Sequence, residues 1–116
     1  MSNDYPKKSV SHGVVRISEN VIRSIATVAA KEIDGIADLA IQKKGISSLL
    51  HPVAPVKVQV VNDMVEITVR VILEEGTRLT TVAEQVQENV KENVQSMTGV
   101  IVSKVHVVAV GIHFAS

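Results

Sequence analysis

Four histidines, His12, His51, His106 and His113, are the side chains best suited to hold a metal, act as a general base or shuttle a proton. They form a poor set. His106 and His113 stand an odd number of positions apart, so on one unbroken strand their rings face opposite sides; a bulge would change that phase. Ser47, Ser48 and His51 lie close together, yet no Gly-x-Ser-x-Gly elbow surrounds them and no acid is placed to orient the imidazole. A linker is expected there rather than a hydrolase site. Glu84, Glu88 and Glu92 recur at helical spacing and could face a cation, but with Lys91 among them they read as a solvated helix face. The glycines stand singly, which rules out a familiar phosphate-cradling loop. The absence of Cys removes disulfides, thiol catalysis, iron–sulfur clusters and Cys-ligated zinc. The sequence therefore names no catalytic residue, no cofactor and no metal ligand, and the expectation is a protein that is not an enzyme.

At 116 residues, 46% of them apolar, the chain suits one domain with one core. Aromatic residues make up only 2%, which argues against base-stacking platforms, since those need exposed rings. Twelve basic residues balance twelve acidic ones, so no global field draws the protein to nucleic acid or an anionic membrane. Residues 1–9 are polar and aperiodic and read as a disordered tail before a single domain over 10–116, with no apolar stretch suited to a secretory signal. The longest uncharged run, after Lys104, is well short of the ~20 residues of a spanning helix. A cytoplasmic-side protein without direct transmembrane insertion is the inference.

Periodicity supplies the elements that would position any site. Val14–Ile17 reads as a strand that runs into a helix capped by Ser18, with Val21, Ile22, Ile25, Ala26, Ala29 and Ile33 on its inner side and Arg23, Thr27 and Lys31 opposite. Gly35 stops that helix and Ile36 reopens an apolar stretch. Residues 43–55 form a connection rich in Gly, Pro and Ser. Val56–Val61 and Val65–Leu73 each alternate, and a two-residue turn at Asn62-Asp63 sets Val60 against Val65, Val58 against Ile67 and Val56 against Val69. Thr81 and Glu84 read as a capping box for a second helix, although Leu79 could already lie in its first turn. Its stripe is Val82, Ala83, Val86, Val90, Val94 and Met97, and Gln95 is placed on the far face with the glutamates. Gly99 stops it, and residues 100–114 form a long last strand. The predicted fold is α+β in two layers, with two main helices on one face of a mixed sheet built in the order β-α-β, hairpin, α-β.

The other face of that sheet is the most informative feature. If Val105, Val107 and Ala109 face the helices, Val108, Val110 and Ile112 point away, joined by Val61 and Ile72 from the hairpin. Both faces are then apolar, and an exposed apolar patch marks an association surface. The connection around Leu49-Leu50 or the tail could instead cover the patch, or the strand phase could be inverted. Lys43 and Lys44 beside Leu49 and Leu50 could form a shallow contact with a membrane or partner, core packing of the leucines being the plainer account.

Residues 13–112 carry a resemblance. Gly13-Val14-Val15-Arg16-Ile17-Ser18, Ala29-Ala30-Lys31-Glu32-Ile33-Asp34-Gly35-Ile36, Glu75-Gly76-Thr77-Arg78-Leu79, Met97-Thr98-Gly99-Val100 and Val105-His106-Val107-Val108-Ala109-Val110-Gly111-Ile112, in this order and spacing, resemble the bacterial alkaline-shock and general-stress envelope proteins. The family pattern often has an aromatic where this chain has Glu75, and Asn where it has His106. The resemblance implies a protein of the cell-envelope stress response at the inner face of the membrane, held there by a small membrane-anchored protein and prone to form homo-oligomers. Some members look linked to lipid metabolism, so a regulator of that kind, or a small RNA-binding module, is the alternative.

Overall fold

The computed structural model describes residues 9–12, 15–40 and 54–115, with side chains described from Ile17 onward. Among these residues six strands and two helices follow in the order β1 (Ser9–His12), β2 (Val15–Ser18), α1 (Glu19–Lys31), β3 (Ile36–Leu39), β4 (Val56–Val61), β5 (Met64–Glu74), α2 (Leu79–Thr98) and β6 (Val102–His113). The two-layer α+β fold read from the sequence is the fold that forms. β1 and β2 pair antiparallel as a separate ribbon, Ser9 opposite Ser18; β1 was not foreseen, because Ser9–His12 carries no recognisable alternation.

β5 is the axis of the main sheet. Along one edge it pairs antiparallel with β4 over its first half and with β3 over its second. Along the other edge β6 runs parallel to it for nearly its whole length. The β4–β5 hairpin has the expected register, with Val60, Val58 and Val56 opposite Val65, Ile67 and Val69. Its turn places Asn62 and Asp63 at φ of 52° and 63°, the left-handed pair that matches strand twist.

Alternation along β5 sends Val65, Ile67, Val69, Val71 and Leu73 into the core against both helices. α1 contributes Ile22, Ala26, Ala29 and Ala30, whose small side chains let it approach α2 closely. α2 contributes Val82, Val86, Val90 and Val94 at strict four-residue spacing. Val21 and Met97, read as inward, are exposed, because each falls beyond the arc that the sheet can cover.

The start of α1 is as expected, with Ser18 Oγ accepting from Asn20 N at 3.1 Å; the helix ends sooner than expected, at Lys31 with Glu32 as C-cap, and Gly35, φ 103°, makes the turn into β3 instead. Gly35 also lies against α2, since a Cβ there would stand 2.8 Å from both Thr77 Cγ2 and Val82 Cγ2. α2 begins at Leu79 with Arg78 as N-cap and no side-chain cap, so the Thr81–Glu84 capping box does not form. The turn in which Thr77 N bonds to Glu74 O at 3.1 Å returns the chain at once, and Arg78 O accepts the first helical bond from Val82 N. Gly99 ends α2 at φ 78° with its N–H on Gln95 O.

Candidate functional site

Among the described residues, the side chains singled out for chemistry do not converge. A register shift between Val71 and Ile72 leaves Val110 without a partner in β5, so His106 pairs with Thr68 and His113 with Glu74. Both imidazoles therefore lie on the sheet face away from the helices, correcting the opposite-face assignment made for an unbroken strand. They are roughly 20 Å apart at the rise of a strand. Each meets its own carboxylate, His106 Nε2 at 3.5 Å from Glu66 Oε1 and His113 Nδ1 at 3.2 Å from Glu74 Oε1, all partly exposed to solvent. Glu84, Glu88 and Glu92 line an open groove on α2 together with Gln87, Lys91 and Gln95. Among the described residues, no three His, Asp or Glu gather as a metal cage.

The face away from the helices differs from the fully apolar surface expected. β5 presents Met64, Glu66, Thr68, Arg70 and Ile72 there, flanked by Lys57 and Gln59 of β4 and by Lys104 and His106 of β6. A polar band thus crosses the middle and separates two apolar ends. Val61 pairs with Met64 at one end, roughly 27 Å along β5 from Ile72 at the strand rise, so it does not share a patch with the β6 residues. At the other end Ile72 lies beside Val108, which pairs with Arg70. Val108, Val110 and Ile112 are 41%, 43% and 52% exposed. Ile112 pairs with Leu73, an inward residue, because the extra residue at Val110 resets the alternation; it lies on the helix side of the sheet, beyond the helices' cover. Lys43, Lys44, Leu49 and Leu50 lie outside the described residues, as do Ser47, Ser48 and His51.

Two side chains that a surface reading of α2 passes over prove structural. Gln95 Oε1 accepts from Val102 N at 2.9 Å, and Gln87 Nε2 donates to Val105 O at 2.9 Å. Both cover the first half of β6 along its outer edge. Arg23, read as solvent-facing, reaches back to Val56 O at 3.1 Å and pairs with Glu19 at 3.2 Å. The only sequence signal for these was the presence of long polar side chains at the margins of an apolar stripe.

Between the helices, a concavity of about 290 Å³ is lined by Ile25, Val28, Ala29, Asn93 and Met97. No helix among the described residues is long and apolar enough to cross a membrane. Comparison with known proteins places the chain in a family. The profile of the alkaline-shock protein 23 family, described as having a cell envelope-related function, matches residues 7–114. The chain belongs to that family. A relative, Uncharacterized protein YqhY of Bacillus subtilis (strain 168), is 32% identical over 106 residues, covering 88% of this chain and 78% of that protein. No solved structure matches. In this alkaline-shock family chain the run from Val105 to Ile112 lies within β6, Gly99 ends α2 and Gly35 turns the chain into β3.

Proposed function

We propose that this alkaline-shock family member is a non-enzymatic interaction protein of the cell envelope, which self-associates and docks on a membrane-bound partner at the cytoplasmic face. One observation carries the reading: at one end of the sheet, Val108 and Val110 stand half in water near Ile72, on a strand that could have carried charges at no cost to the core. Exposing this much aliphatic surface is unfavourable by about 25 cal/mol per Å², and a contact that covers it recovers that free energy. The family's envelope-related function supports the placing of the partner in the membrane. A net charge of zero leaves little repulsion between copies.

Light scattering over a concentration series, with wild type beside Val110→Asp, tests the reading. Wild type is expected to gain mass with concentration while Val110→Asp stays monomeric with an unchanged far-UV spectrum. A wild type that is strictly monomeric at millimolar concentration removes self-association from the proposal. Capture of a membrane protein by wild type and its loss with Val110→Asp tests the docking half.

A further inference from the structure

β6 is an edge strand: among the described residues it pairs with β5 alone. The ladder fixes which way each of its peptide groups points, since in a parallel pair successive residues turn their N–H and C=O alternately towards and away from the neighbouring strand. Val65 N donates to Ile101 O at 2.9 Å, towards β6. Arg70, in the opposite phase, donates to Pro55 O at 2.8 Å and accepts from Ala40 N at 3.0 Å, towards β4 and β3. The partners of Val65, Ile67, Val69 and Val71, namely Val102, Val105, Val107 and Ala109, therefore turn their own N–H and C=O to the outer edge. At Val102 and Val105 these groups meet Gln95 and Gln87 of α2. At Val107 and Ala109 no described residue supplies a partner. The same half of the strand lacks the Lys or Pro with which free edges are usually blunted, since Lys104 stands on the half that α2 already covers.

The geometry points to a second copy of this chain as the occupant: β6 pairs antiparallel with its own counterpart across a two-fold axis at Val108, with Val107 opposite the partner copy's Ala109. This rests on the self-association reading and names the surface that does the work. Only that register suits the free groups. An axis at Val107 would set Ala109 opposite Val105, whose carbonyl Gln87 already occupies. An axis at Ala109 would set Val107 opposite Gly111, which pairs with Ile72 in the phase that turns its groups back to β5. With the axis at Val108, each Val107–Ala109 pair exchanges two N–H···O=C bonds. The two Val108 side chains then meet on the face that carries Ile72, as a close non-hydrogen-bonded pair with Cα atoms about 4.5 Å apart. The unpaired Val110 ends the regular stretch, which keeps the contact short and the dimer dependent on concentration.

The chain contains no Cys, so single introduced thiols report the register without background. Under a glutathione redox buffer, Val108→Cys is expected to form a disulfide-linked dimer about tenfold or more faster than His106→Cys or Val110→Cys, because only the axial pair has the Cα separation a disulfide needs. Equal rates at all three positions, or a faster rate at a flanking one, overturn the register. Ala109→Pro removes an N–H that β5 does not use, a substitution an edge strand tolerates. It should abolish concentration-dependent dimers at an unchanged melting temperature. Dimers that persist in Ala109→Pro but vanish in Val110→Asp would overturn edge pairing and leave self-association standing on the sheet face.

Discussion

Gly35 shows how much a single residue can be asked to do. Its φ of 103° lies where an L side chain is strained, and its missing Cβ leaves room for two branched methyl groups 2.8 Å from where that atom would be. Thr77 and Val82 are stiff at χ1 and give way poorly. Gly35→Ala is therefore expected to cost about 2–4 kcal/mol, backbone strain and overpacking adding together, measured as a lowered urea midpoint at constant slope. A turn at Gly35 was legible from its place after an amphipathic run, although α1 itself ends earlier, at Lys31; the close approach was not, because it depends on which turn of α2 passes overhead. Arg23, Gln87 and Gln95 were illegible for a similar reason. Their partners are backbone carbonyls and amides far along the chain, and no local pattern signals those.

Among the elements, the β4–β5 hairpin was readable in full, because turn type, alternation and register constrain one another within a short stretch. Asp63 at φ 63° is nonetheless a compromise, since glycine adopts that conformation without a Cβ penalty. Asp63→Gly should stabilise the protein by about 0.5–1 kcal/mol, seen as a rise in melting temperature with no change in oligomeric state. β6 was read less well. Its alternation is clear in sequence up to Ala109, but the extra residue at Val110 leaves no mark among so many valines, so Ile112 and His113 were each given the wrong face. A run in which nearly every residue is apolar cannot report its own phase.

For the molecule as a whole, β5 is, among the described residues, the only strand of the main sheet bonded along both edges, and its inward side chains are sealed by both helices. Global unfolding is required to expose such amides. Hydrogen exchange should find β5 slowest at all concentrations, with Val107 and Ala109 of β6 fast in dilute solution and slowing as concentration rises. Fast exchange throughout β5 would mean that the sheet opens piecemeal. The overall α+β arrangement was legible because each helix carries one apolar stripe and each strand of the hairpin one apolar side. The idea of a doubly apolar sheet failed at this scale: Glu66, Thr68 and Arg70 lie in the middle of β5, and only the pairing of strands shows that their neighbours are polar too.

Arg70 O accepts from Ala40 N and Arg70 N–H donates to Pro55 O, so the chain leaves the sheet after β3 and re-enters it before β4 beside one and the same residue. Because Ala40 and Pro55 are held at one residue, each doubling of the span between them adds only about 0.6 kcal/mol of closure entropy. A tag grafted between them should leave both bonds to Arg70 in place, which would make their pairing a built-in check that a label carried into a living cell has not disturbed the sheet.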